Sequence, residues 1–232
     1  MTPSLEDSLE HVQADVTQSR KCERLVAWRE SVAADPPLRY RGQGYWARPV
    51  PGFGDPKARL LIVGLAPAAH GGNRTGRVFT GDRSGDWLFS ALHRAGFANQ
   101  STSEHRDDGL QLSDAYITAV VHCAPPDNKP TPQERDNCLP YLAREMALLT
   151  DLRVIVCLGA YALDGVARVL GLRPRPKFGH GAEVLLGDGR TIVCSFHPSQ
   201  QNTFTGKLTE KMFDAVFSRA NSLAASPVTR GT

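Results

Sequence analysis

Four short apolar runs, rich in valine, isoleucine and leucine, recur along the chain at residues 59–65, 116–121, 153–158 and 191–196. Runs of this length without polar alternation are typical of strands buried on both faces of a parallel sheet. Amphipathic segments with helical spacing lie between them. The alternation predicts an α/β fold: a three-layer α/β/α sandwich with a central, mainly parallel four-stranded sheet.

Two of the intervening segments carry helix signals. Ser84 can cap a helix that Gly96 ends, and Thr209 can begin a last helix. Each helix has an apolar stripe that would pack on the sheet. The stripes are Trp87, Leu88, Ala91, Leu92 and Ala95, then Met212, Phe213, Val216 and Phe217. We expect residues 1–223 to form a single domain and residues 224–232 to form a flexible C-terminal tail.

A capping box predicts a third helix. Thr131 and Glu134 have the spacing of the box, and Pro132 stands at the first helical position. Pro140 lacks the backbone N–H that the interior of a helix requires. We therefore expect this helix to kink or break near Cys138.

The composition is that of an ordinary globular protein. Of the 232 residues, 41% are hydrophobic and 22% are charged, which is enough to bury a full core. No apolar stretch approaches the roughly 18 residues of a membrane-spanning helix, and the first residues are polar and acidic, unlike a signal peptide. We expect no membrane association and a cytoplasmic location. The net charge of +3 is compatible with nucleic acid as a partner but does not indicate it.

Two segments dense in glycine and hydrogen-bonding residues follow the first and last predicted strands. They are 64–82, GLAPAAHGGNRTGRVFTGD, and 197–209, HPSQQNTFTGKLT. Because ligands bind at the carboxyl ends of the strands in open α/β sheets, we expect both segments to line one active site. A phosphate-binding loop is the rival interpretation of the glycines. It is disfavoured because Arg77 and Val78 stand where such a loop requires lysine and then serine or threonine.

The two segments, with YWARPVPGFGDP at 45–56 and CAPPDNKPTP at 123–132, closely resemble family 5 of the uracil-DNA glycosylase superfamily. The resemblance runs in order from about residue 19 to about residue 222. It implies a parallel sheet between helices, an iron–sulfur cluster of the 4Fe-4S type, and DNA repair by base excision. The implied enzyme is a monofunctional glycosylase that removes uracil, and other deaminated bases such as hypoxanthine, and leaves an abasic site.

The resemblance also implies the residues of a base pocket. Enzymes that act on a base in DNA extrude its nucleotide from the duplex. Phe79 matches the phenylalanine that stacks on the extruded base, and Asn128 matches the asparagine whose amide distinguishes uracil from cytosine. His197 matches the histidine that donates to uracil O2, where negative charge develops as the bond breaks.

The residue that activates water is less directly implied. Where the best-known branch of the superfamily has an aspartate, this chain has Ala66. The resemblance implies alanine at this position, because family 5 members also have it. Asp82 resembles the family's candidate carboxylate, with a helix cap as its alternative role. Asn73 is a weaker catalytic candidate, and His70 is expected to line the base pocket or contact a phosphate.

Hydrogen-bonding and basic residues in both segments suit recognition of the DNA backbone, with a solvated loop as the alternative. Such contacts would depend on salt and not on base sequence. The candidates are Arg74, Ser199, Gln201, Asn202, Thr203, Thr205 and Lys207.

The cysteines divide into two groups. Two fall inside predicted strands, where a free cysteine behaves as a small hydrophobic residue. By the resemblance, Cys22, Cys123 and Cys138 match three ligands of the iron–sulfur cluster, but Ser19 stands where the fourth cysteine is expected. Since thiolate is the normal ligand of such clusters, the outcomes that remain are a cluster with one distinct iron, a three-iron form, ligation by Ser19 and a metal-free fold. A structural cluster is our expectation.

Three functions remain open at this point. The first is the glycosylase, acting as a monomer on double-stranded DNA that contains uracil or other deaminated bases, with single-stranded DNA as a further candidate. The second is a damaged-base binding protein with weak or no glycosylase activity, which Ala66 and Ser19 favour. The third is an unrelated nucleotide-binding α/β protein.

Overall fold

A six-stranded, mostly parallel sheet forms the centre of the computed structural model, which describes residues 7–225. The strands are β1 (Phe53–Gly54), β2 (Leu60–Gly64), β3 (Ala115–Ala119), β4 (Val154–Leu158), β5 (Glu183–Leu185) and β6 (Thr191–Ser195). Their order in the sheet is β1-β3-β2-β4-β6-β5. The four predicted strands are β2, β3, β4 and β6, which pair in parallel, so the predicted fold class is confirmed.

The predicted number of four strands is too low, because the sheet has an antiparallel strand at each edge. β1 pairs with β3, and β5 pairs with β6. These edge strands are two and three residues long, and their residues are half-buried or exposed. They therefore lack the continuous apolar run by which a doubly buried strand can be recognised in the sequence.

Eight α-helices lie within residues 7–225, together with two short 3₁₀ turns at Leu38–Tyr40 and Pro126–Asn128. The helices are α1 (Leu9–Gln18), α2 (Glu23–Ala34), α3 (Gly72–Thr75), α4 (Arg83–Arg94), α5 (Pro132–Leu148), α6 (Ala160–Val169), α7 (Gln200–Phe204) and α8 (Glu210–Ala225). None of them is both long enough and apolar enough to cross a membrane.

Helices cover both faces of the sheet. All residues of the four central strands are buried, and alternate residues point to opposite faces. Leu60 and Ile62 of β2 pack in a core with α4 and α8, whereas Leu61 and Val63 pack in a second core with α5 and α6. The three layers follow from this two-sided burial.

The start of α4 differs from the prediction. The cap is Asp82, whose carboxylate accepts a hydrogen bond from the backbone N–H of Gly85 at 3.1 Å, and not Ser84, which lies within the first turn. The extended backbone of Asp82, at φ −144° and ψ 166°, sets this starting point. The predicted end is correct, because Gly96 adopts φ +82° directly after the last turn.

Helix α5 begins as predicted but is not broken. The capping box of Thr131 and Glu134 is present in both directions. The helix continues through Pro140 to Leu148, so the break expected near Cys138 is wrong. A proline in a helix removes one hydrogen bond, and here the helix is held on both sides of it by buried side chains such as Leu142.

The last helix reaches further than expected. The Thr209 hydroxyl accepts a hydrogen bond from the Met212 backbone N–H at 3.3 Å, as expected of an N-cap residue. Ala224, predicted to belong to the tail, is buried against the core as part of α8. Residues 226–232, the rest of the predicted tail, lie outside the described residues.

A buried ion pair supports the loop between α3 and α4. Arg77 and Asp108 meet at 2.7 Å, with only 6% and 9% of their side chains exposed. The same guanidinium donates to the hydroxyls of Thr80 and Ser103. Burial alone would raise the pKa of Asp108, but the hydrogen bonds from Arg77 and from backbone N–H groups outweigh it and lower this pKa to about 2.

We predict that Asp108→Asn lowers the free energy of unfolding by about 3 kcal/mol, because it leaves the Arg77 charge buried without its partner. The lowered pKa also predicts that the contribution of Asp108 to stability is complete above the ordinary carboxyl pKa of 3.8 and is lost as the pH falls toward 2. Urea unfolding at several pH values measures both effects. The matched control is Asp107→Asn, since the Asp107 side chain is 85% exposed and should change stability little. Equal effects of the two variants would contradict the prediction.

Candidate active site

A cleft opens at the carboxyl ends of β2, β3 and β6. Its main cavity has a volume of about 510 Å³, within the range of about 300–1,000 Å³ that is usual for small-molecule sites. The lining residues include seven of the sequence candidates: Ala66, Phe79, Asp82, Asn128, His197, Ser199 and Gln201. A second cavity adjoins it, because Ala68, Asp82, Arg83, Asn128 and Gln200 line both.

Phe79 forms one wall of the main cavity. Its ring lies over Gly64, at the end of β2, where a Cβ atom would come within 2.7 Å of the Phe79 Cζ. Only glycine permits this close approach. The backbone of Phe79 adopts φ +53°, which is unusual for a residue with a side chain. The ring is half-buried and lies 5.7 Å from the ring of His197.

His197 lies just after the end of β6 and keeps part of its ring open to the cavity. Protein surrounds most of the imidazole, and this burial lowers its pKa to about 4. The ring is therefore neutral near pH 7 and has one N–H to donate. Asn202 fixes the turn, because its amide donates to the His197 carbonyl at 2.8 Å.

Asp82 lines both cavities and also caps α4. The two roles considered for this carboxylate are therefore compatible. Burial raises its pKa, although the backbone N–H groups of Gly85 and Ser84 act in the opposite direction. On the other side of the carboxylate lies Gly71, where any Cβ atom would collide with an oxygen of Asp82.

Asn128 reaches the cleft from the loop after β3. It stands at the end of a 3₁₀ turn, with φ +56°, and lines both cavities. The residue is exposed, and its side-chain amide makes no hydrogen bond to any residue within 7–225. The amide is therefore free to meet a ligand, but neighbouring side chains do not fix its orientation.

Two other candidates lie away from the main cavity. Asn73 is fully buried, and its amide donates to the Arg29 carbonyl at 3.2 Å. It therefore does not reach a substrate in this arrangement. His70 lines the second cavity, where its ring stacks on Tyr40 and accepts or donates a hydrogen bond with the Tyr45 hydroxyl at 2.9 Å.

Several of the residues expected to contact DNA are already engaged within the protein. The Arg74 guanidinium donates to the carbonyls of His70 and Gly81 and to the Gln43 side chain, and it lies over the Tyr40 ring. The hydroxyl of Ser199 caps α7, and that of Thr205 donates to a backbone carbonyl in α7. Gln201 remains exposed at the rim, and Lys207 is exposed with its ammonium group 4.8 Å from the ring centroid of Phe196.

Two rim residues were missed by the sequence analysis. Arg83 lines both cavities, and its guanidinium lies 4.4 Å from the ring centroid of Phe204. Phe204 ends α7 and is 68% exposed, which is unusual for so large an apolar side chain. The available signal was an arginine directly after Asp82 and a phenylalanine in an otherwise polar segment.

A separate cavity collects the predicted metal residues. Ser19, Cys22, Cys123 and Cys138 all line it, although they come from three separate parts of the chain. Asn137 donates to the Cys22 sulfur at 3.3 Å, and Arg29 donates to the Cys123 sulfur at 2.9 Å. Among residues 7–225, no three His, Cys, Asp or Glu side chains are grouped to hold a single metal ion.

The two cysteines predicted inside strands are there. Cys157 in β4 and Cys194 in β6 are fully buried in the core, as free thiols. The two cysteines stand opposite each other in the parallel pairing of β4 and β6. They are separate from the cavity that Cys22 helps to line.

Known proteins are similar to this chain over most of its length. The sequence model of the uracil DNA glycosylase superfamily matches residues 51–221. A type-5 uracil-DNA glycosylase of Mycobacterium tuberculosis is 51% identical over 220 residues, which cover 94% of this chain and 82% of that protein. One of Thermus thermophilus is 51% identical over 210 residues, or 90% of this chain and 95% of that protein.

The type-4 branch is more distant. A type-4 uracil-DNA glycosylase of Pyrobaculum aerophilum is 35% identical over 130 residues, which cover 56% of this chain and 58% of that protein. The similarity to type-5 proteins is thus higher and extends over most of the sequence. The chain belongs to the uracil DNA glycosylase superfamily and, within it, to the type-5 uracil-DNA glycosylases.

Proposed function

We propose that this protein is a monofunctional uracil-DNA glycosylase that flips uracil out of DNA, hydrolyses its N-glycosidic bond and leaves an abasic site. The observation that carries the proposal is the convergence of Phe79, Asp82, Asn128 and His197 on one cleft at the carboxyl edge of the sheet. Flipping costs a few kcal/mol of lost stacking and pairing. The cleft has to recover that free energy through contacts with the extruded base.

Phe79 and Asn128 recognise the base. The exposed face of the Phe79 ring stacks on it, and the free amide of Asn128 accepts from N3–H and donates to O4 of uracil. Cytosine presents the reverse pattern of donor and acceptor at these positions. In this orientation of the amide, binding cytosine would leave polar groups without partners, each at a cost of about 1–3 kcal/mol. Discrimination therefore requires that the complex with DNA fixes the Asn128 amide, which no neighbouring side chain holds in the free protein.

His197 stabilises the leaving base. Cleavage of the glycosidic bond leaves negative charge on uracil, in part on O2, and positive charge on the sugar. A neutral imidazole with a pKa of about 4 keeps one N–H for O2 throughout the physiological pH range. A donor already in place where charge develops lowers the barrier without reorganisation at the moment of reaction.

Asp82 is the carboxylate that orients water or offsets the charge of the sugar. Ala66 has no group for this role, and Asn73 is fully buried. The Asp82 carboxylate lines the cleft, and its capping bond to Gly85 holds it in one orientation. Neither cavity of the cleft is lined by lysine, the residue expected for an enzyme that also cuts the strand through a Schiff base.

DNA binds across the rim of the cleft. The exposed Arg83, Gln201 and Lys207 supply the polar and basic groups that phosphates require, and Phe204 supplies an exposed aromatic edge. The substrate is double-stranded DNA containing uracil or another deaminated base, and single-stranded DNA is accepted by the same groups. The enzyme acts as a monomer on chromosomal DNA in the cytoplasm.

The cofactor of this proposal is an iron–sulfur cluster. Cys22, Cys123 and Cys138 fit such a group, because three cysteines and Ser19 line one cavity and two of the sulfurs already accept hydrogen bonds. Each ligand of a cluster binds its own iron, so the side chains need not meet at one point. The bound cluster would supply a cross-link between the start of α2, α5 and the loop after β3, in a cavity separate from the cleft.

A damaged-base binding protein remains the second candidate, and Ala66 is the observation that favours it. Such a protein would have the base pocket but would lack a group that activates the attacking water. It would bind a uracil-containing duplex tightly without releasing the base.

We predict that His197→Ala lowers the single-turnover rate of uracil release by about 10²–10³-fold, because a donor to the developing charge is lost. Asn128→Ala should lower it by about 10–100-fold through loss of base recognition. The assay uses a duplex with one uracil, and circular dichroism checks the fold. The matched control is His93→Ala on the exposed face of α4, which should retain full activity. Full activity of both site variants would refute these assignments.

We predict that Gly71→Ala impairs uracil release strongly, because the new methyl group collides with the Asp82 carboxylate. Asp82→Asn should be impaired as well. Because burial raises the pKa of Asp82, wild-type activity should fall as the pH is lowered through a value above the ordinary 3.8, where the carboxylate becomes protonated. The control is Gly187→Ala, where a Cβ atom has no neighbour within 4 Å. Wild-type activity of Asp82→Asn would show that the carboxylate is not needed.

We predict that uracil and hypoxanthine are both released, because small residues such as Ala66 and Ala68 line a cavity of about 510 Å³. Cytosine should not be released. A panel of duplex and single-stranded oligonucleotides that carry each of these bases measures which of them are released. Tight binding of the uracil duplex without base release would instead support the binding protein.

A further inference from the structure

The cavity lined by the cysteines also contains a histidine that the family pattern does not explain. His122 lines it beside Cys22, Cys123 and Cys138, directly before Cys123 in the chain. Ser19 also lines this cavity, in the position where a fourth cysteine is expected. The chain thus replaces one thiol by a hydroxyl and places an imidazole in the same cavity.

A hydrogen bond from the His122 ring shows which of its two nitrogens carries the proton. Nδ1 lies 2.9 Å from the carbonyl oxygen of Val50. A carbonyl only accepts, so Nδ1 carries the proton and donates it. In the neutral ring, Nε2 is then left with its lone pair and no proton.

Nε2 is fully buried, yet it has no hydrogen-bond partner among residues 7–225. Buried polar atoms almost always have a partner, so each exception requires an explanation. The groups around the ring do not supply one. The Tyr141 ring packs edge-on at 5.8 Å, and the bond between the His122 backbone N–H and the Cys138 sulfur does not involve the imidazole.

A neutral imidazole that donates through one nitrogen to a backbone carbonyl, and keeps the other nitrogen free, is the usual arrangement of a metal-binding histidine. The carbonyl fixes the tautomer and the orientation of the ring. Histidine can also replace cysteine as a ligand of iron–sulfur clusters. Serine would first have to lose the proton of its hydroxyl, whereas Nε2 has none to lose.

We propose that Nε2 of His122 is the fourth protein ligand of the iron–sulfur cluster, in the place of the cysteine that Ser19 replaces. Three thiolates and one neutral imidazole then hold the cluster. One of its four irons differs from the other three. The cluster carries one negative charge fewer than with four thiolates, so its reduction potential is more positive than that of an all-cysteine form.

This inference rests on the cluster proposed above and is independent of the chemistry at the base pocket. It is tested on the full chain, purified without oxygen after growth with ⁵⁷Fe and with histidine labelled with ¹⁵N in the ring only. Ring labelling separates the imidazole from the His122 backbone nitrogen near Cys138. Iron and sulfide per chain, the Mössbauer spectrum and pulsed electron paramagnetic resonance of the reduced protein are measured.

We expect a three-to-one pattern of irons and a ¹⁵N coupling typical of a directly bound imidazole. Both should persist in Ser19→Ala and disappear in His122→Ala, which should also retain less iron. The double variant Ser19→Cys/His122→Ala should recover the iron content of the wild type with four similar irons. Its recovery would show that the single His122 variant loses a ligand and not the fold.

An intact cluster without ring-nitrogen coupling in the wild type overturns the proposal, and this measurement needs no variant. A spectrum changed by Ser19→Ala but not by His122→Ala overturns it in favour of the Ser19 hydroxyl. If the wild-type protein contains no iron, both the assignment of His122 as a ligand and the proposed cluster are wrong. Uracil release by the same preparation is measured separately, so the failure of the cluster and the failure of the proposed glycosylase are distinguishable.

Discussion

Burial of the central strands on both faces is the constraint on which the rest of this structure depends. The five residues of each parallel strand have no exposed face, so polar chemistry can begin only where a strand ends. Parallel pairing brings those ends to one edge of the sheet. The loops after β2, β3 and β6 therefore meet, and the cleft between them collects residues separated by more than a hundred positions.

Two close approaches of the backbone then shape the cleft. The Phe79 ring packs on Gly64, and the Asp82 carboxylate packs on Gly71, at distances that no other residue type allows. The left-handed backbone of Phe79 has to be held in place by its surroundings. The buried pair of Arg77 and Asp108 lies beside this turn and supplies that support.

The buried Asn73 connects the cleft with the cysteine cavity. Its amide donates to the carbonyl of Arg29, and the guanidinium of Arg29 donates to the sulfur of Cys123. The residue considered as a catalyst is thus part of a structural link between the first glycine-rich segment and the cavity. The glycine-rich segment that also contains Asp82 is therefore joined by hydrogen bonds to the wall of the cysteine cavity.

The sequence by itself determined the parallel centre of the fold, the capping box of α5 and the two segments of the cleft. These features depend on local patterns: apolar runs, cap spacings and motifs read in order along the chain. Tertiary structure alone decided the edge strands, the continuity of α5 through Pro140 and the start of α4 at Asp82 instead of Ser84. Each of these results from packing between distant segments, which outweighs local preference. For the same reason, only the fold could separate Asn73 and Arg74, which are engaged inside the protein, from Arg83, which faces the cleft.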